Sequence, residues 1–142
     1  MPPVWFQTPN LKVLNDFGRG TMVEHLGIDL TEAGDDFLKG TMPVDHRTKQ
    51  PHGLLHGGAS VVLAESLGSI AANLVVDYDK FYCVGLDINA NHIQPVRDGF
   101  VTGVARPVHL GRTTQVWEIK IQQSDKLVCV SRLTMAVLAK KH

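Results

Sequence analysis

The chain has 142 residues, 44% of them hydrophobic, with Lys plus Arg and Asp plus Glu balanced at 14 each. That supports one compact domain with a proper core and leaves two cramped. The neutral balance gives no overall attraction to nucleic acid or an anionic membrane, although local positive spots can hold a small anion.

Cys83 and Cys129 sit in apolar, strand-like runs. They read as buried free thiols of a reducing compartment, with no disulfide framework around them. The opening MPPVWFQTPN lacks the basic-then-apolar order of a secretory signal. The longest apolar stretch is broken by Glu65 and Ser69 and does not resemble a membrane span. A soluble, cytoplasmic protein is expected.

Thr8-Pro9-Asn10 followed by LKVLNDF predicts a cap and a short helix over about 9–17. Thr21 to His25 adds one turn. Leu26 to Leu30 reads as a strand, Gly34-Asp35-Asp36 as a turn, and Phe37 to Met42 as a second strand closing a hairpin. Pro43 suits the end of pairing at an edge. DHRTKQPHG (Asp45 to Gly53) is a polar loop. A long helix then spans about 56–76, with Leu63, Leu67, Ile70 and Leu74 as its apolar stripe. Its other side carries Val61, Val62, Glu65, Gly68, Ser69 and Ala72. Such a helix is covered nearly all round and lies at the centre of a domain.

Strands follow. Phe81 to His92 is the first, with Gly85 as a bulge or close approach. Phe100 to His109 is interrupted by Pro107. Thr113 to Gln122 sets Gln115, Trp117, Ile119 and Ile121 on one face. Ser124-Asp125-Lys126 makes a tight turn into Leu127 to Leu138. Five or six strands joined by short turns, with one early long helix, make an α+β layout: a curved antiparallel sheet with the helix covering one face.

The chemistry centres on Glu65, an acid among apolar and small residues, costly unless paired or used. A desolvated carboxyl has a raised proton affinity, which suits a general base; it can also act as a nucleophile, or be tied to a neighbouring subunit. Ser69 shares its helix face and can orient the carboxylate or hold a water. At the loop-to-helix junction, Gly57 and Gly58 leave amides open to a carbonyl that becomes negative during attack, or serve turn geometry alone. His56 is a helix cap, a ligand contact or a proton shuttle. The Gln50 amide can donate to a carbonyl or face solvent, and His92 carries the same ambiguity. No metal is expected, because none of the histidines, His52 and His56 included, falls into a short ligand cluster. Arg97 and Arg112, at strand ends, are candidates for an anionic ligand. Trp5, Phe6 and Trp117 read as packing groups. Tyr78, Phe81, Tyr82 and Phe100 are the aromatics available to a pocket.

QPHGLLHGGASVVLAESLGS (Gln50 to Ser69) resembles the acyl-CoA thioesterases of the hotdog fold. HLGIDL, GTMPVDHRTKQ, VGLDINANHIQPVRDG and HLGRTTQVWEIKI extend the resemblance over nearly the whole chain. It is most similar to the bacterial aryl- and hydroxyacyl-CoA branch, which includes the 1,4-dihydroxy-2-naphthoyl-CoA hydrolases of menaquinone biosynthesis and the enterobactin proofreading thioesterases. The resemblance implies a single hotdog domain over 1–142, a homodimer with a continuous sheet, two such pairs forming a homotetramer, and active sites at the subunit interface. It implies Glu65 as the catalytic carboxylate, with Gln50 and His56 near the thioester and the Gly57 amide polarising its carbonyl. Ser69, His92, Gly58 and His52 would lie around the acyl group or the nucleophilic water, and Arg97 and Arg112 near the nucleotide phosphates. No cofactor is implied, coenzyme A being part of the substrate. The alternatives are a carrier-protein thioester as substrate, the dehydratase chemistry of other hotdog relatives, and a non-catalytic acyl-CoA-binding domain.

Overall fold

The computed structural model describes residues 2–141. Its frame is one antiparallel sheet of six strands: β1 (Asp29–Ala33), β2 (Leu38–Pro43), β3 (Phe81–His92), β4 (Phe100–Leu110), β5 (Thr114–Gln123) and β6 (Lys126–Ala139). Their spatial order is β1-β2-β4-β5-β6-β3. Two short helices, α1 (Leu11–Phe17) and α2 (Met22–His25), precede the sheet. The long helix α3 (Gly57–Val75) packs across β2, β3, β4, β5 and β6. This is the layout the residue patterns predict.

Alternation sets the inner face of the sheet. Gln115, Trp117, Ile119 and Ile121 of β5 are all buried, while Val116 and Glu118 between them are half-buried and Lys120 is exposed. Gln115 is tolerated there because its oxygen accepts from Trp117 Nε1 at 2.8 Å. Trp117 stacks on Trp5 with centroids 6.3 Å apart. Phe6, expected to pack, is instead exposed.

The predicted stripe on α3 is rotated. Leu63 and Leu67 are buried, but the buried face continues through Ala59, Ala64, Gly68, Ala71 and Ala72. Ile70 and Leu74 are only half-buried, on the side toward α1. Small residues win the sheet face because they let the helix sit close. A Cβ at Gly68 would lie 2.6 Å from a Leu133 methyl. Leu67 fills the gap over Gly40 and Gly103, a cross-strand pair of β2 and β4.

The expected strand at Leu26 begins later, at Asp29. Leu26 and Gly27 close α2 instead. Gly27 N–H donates to Glu24 O at 2.9 Å and Ile28 N–H to Val23 O at 3.0 Å, with Gly27 at φ +74°. That is a Schellman closure, whose left-handed residue favours glycine. Pro43 ends β2 opposite Phe100, beyond the last β1 partner at Thr41, so its missing N–H breaks no pairing on that side. Gly85, expected as a bulge or close approach, sits at a register shift between Gly85 and Asp87, and the interruption expected at Pro107 is a register shift between Pro107 and His109.

Candidate active site

The loop before α3 is built to hold two side chains. Thr48, buried, donates its hydroxyl to Pro43 O at 2.7 Å and accepts from Asp45 N–H at 3.1 Å. Its carbonyl accepts the His56 N–H at 2.8 Å. Arg47 closes the same loop on Asp45, Nη2 to Oδ2 2.7 Å, and that hydrogen bond holds the Asp45 carboxyl down at about 2. Leu55 N–H donates to Val96 O at 2.8 Å, tying the loop to the segment after β3. Gln50 and the N-terminus of α3 are thereby fixed side by side.

The Gln50 carboxamide is oriented by His52. The His52 backbone N–H donates to Gln50 Oε1. A backbone N–H can only donate, so the atom it meets is the amide oxygen, and the NH₂ of Gln50 remains available as a donor. His52 contributes through its backbone; its side chain is exposed.

The first turn of α3 sorts its own amides. His56 is the N-cap, and its Nδ1 accepts the Gly58 N–H at 2.8 Å. Ala59 and Ser60 donate to His56 O. Gly57 alone among these N–H groups meets no protein acceptor among the described residues. With Nδ1 an acceptor, a neutral His56 carries its proton on Nε2. The His92 ring lies against Gly57: a Cβ there would be 2.7 Å from His92 Nε2. Gln50, Gly57, Ser60 and His92 line one cavity of about 380 Å³.

Glu65 lines a different cavity, also about 380 Å³, together with Ser66, Ser69 and Ile70 from α3 and Leu14 and Phe17 from α1. The carboxylate is half-buried, less enclosed in the protomer than its apolar neighbours suggest. None of the six ion pairs among the described residues involves it. Its Oε2 rests over Gly85 of β3, where a Cβ would be 2.6 Å away. Ser69, one turn on, lines the same cavity, as the helix spacing predicts.

One protomer therefore divides the candidate residues. Glu65 lies eight positions beyond Gly57 on α3, about 12 Å of helix rise. Arg97 stands just past the rim of the Gln50 cavity, exposed, after buried Val96. Arg112, also exposed, is in the β4–β5 turn, at the opposite end of the sheet from His92. The sequence pattern does not mark as site residues Thr48, Ser66 or Gly85, which the fold brings to these two places. Gly85 carries a signal, a glycine inside a strand, but the α3 carboxylate that rests on it is visible only in the fold. No three His, Cys, Asp or Glu side chains converge among the described residues.

The model of the thioesterase superfamily matches residues 52–130, more than half of the chain. A 1,4-dihydroxy-2-naphthoyl-CoA hydrolase from Escherichia coli is 53% identical over 95% of this chain and 99% of its own length. A proofreading thioesterase from Cronobacter sakazakii is 52% identical over 95% of this chain and 98% of its own. Among solved structures, a mutant thioesterase from Pseudomonas aeruginosa superposes with a TM-score of 0.95 at 54% identity, covering 96% of this chain and 99% of that one. Its fold, its sequence and its relatives agree that this chain belongs to the thioesterase superfamily and is a hotdog-fold thioester hydrolase.

Proposed function

We propose that the protein hydrolyses acyl-CoA thioesters, with aryl or hydroxyaryl acyl groups among its substrates, at sites shared between two copies of the chain. The observation that carries this reading is the division of the site. The oxyanion donors and the carboxylate line separate cavities of one protomer. A single thioester carbonyl cannot bridge about 12 Å of helix. A second copy, related by a two-fold axis, supplies the missing half to each.

The edge of the sheet supports the pairing. β3 is twelve residues long and lies at one end of the strand order, with hydrogen-bonding groups on its outer edge unpaired in the protomer. Leu86 is 62% exposed, and Val84 also shows to solvent. A long, uncapped, partly apolar edge is a pairing surface. Antiparallel pairing of two β3 strands continues the sheet and sets each Glu65 toward the other copy's α3 N-terminus.

In the assembled site the thioester oxygen receives the Gly57 N–H and the Gln50 NH₂, which stabilise the charge that develops there on attack. Glu65 from the other copy drives the attack, either as the base that takes a proton from water or as the nucleophile of a transient anhydride. The carbon–sulfur bond then breaks and coenzyme A leaves as a thiolate, which needs little acid assistance. Ser69 and His92 flank the acyl group. Arg97 and Arg112 meet the nucleotide phosphates. The name of the Escherichia coli relative supports an aromatic acyl group.

The test is thiol release from benzoyl-CoA. Glu65→Gln keeps the shape of the side chain and is expected to lose a factor of about 10²–10⁴ in kcat with the fold intact. Glu65→Asp retains an acid with shorter reach and is expected to lose less. A Glu65→Gln enzyme with the wild-type rate overturns the assignment.

A further inference from the structure

We infer that the Ser60 hydroxyl is a third donor of the carbonyl site, hydrogen-bonded to the thioester oxygen beside the Gly57 N–H and the Gln50 NH₂. This deepens the proposed hydrolysis and rests on it. Ser60 is only 1% exposed, next to Ala59 and one turn before Leu63 and Ala64, all of them buried. Buried polar side chains are normally paired. The three other buried polar residues obey that rule. The Thr48 hydroxyl donates to Pro43 O, Ser131 Oγ donates to Ile119 O at 3.0 Å, and Gln115 accepts from Trp117. Ser60 Oγ meets no protein partner among the described residues. None of their polar side-chain atoms is both sealed off and unpaired. The Ser60 oxygen therefore opens on the cavity that it lines with Gln50, Gly57 and His92.

Helix geometry aims the hydroxyl at the carbonyl site. Side chains on a helix lean toward its N-terminus, so Oγ lies over the turn that begins at Gly57. Ser60 is three positions on, on the same face and about 4.5 Å along the axis. Gly57 puts no side chain between its own N–H and that hydroxyl. A helical serine ordinarily spends its hydroxyl on the carbonyl four residues back. Here that carbonyl, His56 O, already accepts the Ala59 and Ser60 N–H groups at 3.0 and 3.2 Å. The side chains of Leu54, Leu55, Pro95 and Val128, also in the cavity wall, hold no acceptor.

A donor in that position acts on the transition state. Attack moves negative charge onto the thioester oxygen, which then has lone pairs for more than two donors. Gly57 and Gln50 supply two, and Ser60 adds its O–H while keeping the proton. The bond strengthens as the charge develops, so its effect falls on kcat rather than on substrate binding.

The experiment is thiol release from benzoyl-CoA by wild type, Ser60→Ala and Ser60→Thr, beside the melting curve of each. Alanine removes a hydroxyl that bonds nothing in the fold, and it is the better helix former. The melting temperature of Ser60→Ala is therefore expected to stay level or rise. Its kcat is expected to fall about ten- to a hundredfold, with KM within about twofold of wild type. Threonine keeps the hydroxyl and is expected to recover most of the lost rate. Three results overturn the third donor: an unchanged kcat in Ser60→Ala, a rate loss that tracks a lowered melting temperature, or a threonine variant as slow as the alanine one. A wild-type enzyme that releases no thiol overturns the hydrolytic reading instead. The donor is then tested by calorimetry with a ketone analogue of benzoyl-CoA, in which a methylene parts the sulfur from the carbonyl. Binding about threefold weaker in Ser60→Ala upholds it, and equal affinity, or no binding by wild type, rejects it.

Discussion

Glu65 Oε2 lies so close over Gly85 that a Cβ on that strand residue would stand 2.6 Å from it. The carboxylate of α3 is thus seated on bare backbone at the β3 bulge. Its position depends on the absence of a side chain opposite. Gly85→Ala tests this seat. The only close obstacle is the far end of a flexible side chain, so the carboxylate moves rather than the backbone. We expect a native-like melting curve and a loss of about a hundredfold in kcat, the scale of an ångström-sized misplacement of a catalytic group. Unchanged kcat would show that the seat is immaterial.

Thr48 is the anchor of the loop that carries Gln50. Its hydroxyl serves Pro43 O and Asp45 N–H from a buried position. Thr48→Val keeps the volume and strands both partners. We expect a stability loss of about 1–3 kcal/mol in urea unfolding. Turnover should fall as well, because Gln50 lies in that loop and Gly57 directly follows it. Wild-type stability would contradict the anchoring role.

Burial is expected to keep both cysteines unreactive. Desolvation pushes the Cys83 thiol up to about 11 from an ordinary 9.0, and raises Cys129 too. A raised thiol is neutral in the fold below its ordinary value, so its contribution to stability is present there. That contribution is lost as pH rises through about 11. Native protein at neutral pH should therefore leave a chromogenic disulfide reagent unreduced, and unfolded protein should release two equivalents of colour, one for each cysteine. Rapid reaction of the native protein would contradict the burial of both thiols.

Leu67 tests the helix–sheet contact. It is fully buried over the glycine pair Gly40 and Gly103. Leu67→Ala should cost about 2–5 kcal/mol, because rigid backbone on two strands cannot collapse into the space. A loss well below 1 kcal/mol would mean that α3 is not held there.

Much of this was legible in the residues. α3 was bounded correctly because His56-Gly57-Gly58 marks its start and its apolar composition sustains it. Glu65 stood out as the one acid in that run. Periodicity misplaced the buried face, however, because it weighs large residues. The sheet selects the small ones, Ala64, Gly68, Ala71 and Ala72, for close approach. β1 starts later than the pattern predicts because Leu26-Gly27-Ile28 looks extended in the sequence, while the left-handed Gly27 makes it a helix ending. Thr48 was invisible because a threonine in a polar loop announces no buried hydroxyl. Which glycine amide is free depends on His56 Nδ1 choosing Gly58, a matter of capping geometry that composition does not encode.

The proposed site pairs Gln50 and Gly57 of one copy with Glu65 of another. The direct measurement is activity after two variants each expected to be impaired, Gln50→Ala in the oxyanion donor and Glu65→Gln in the carboxylate, are unfolded together in equal amounts and refolded. Each mixed pair contains one site with both native residues, so thiol release from benzoyl-CoA should recover to about a quarter of wild type. Activity no higher than that of the separate variants would contradict a shared site.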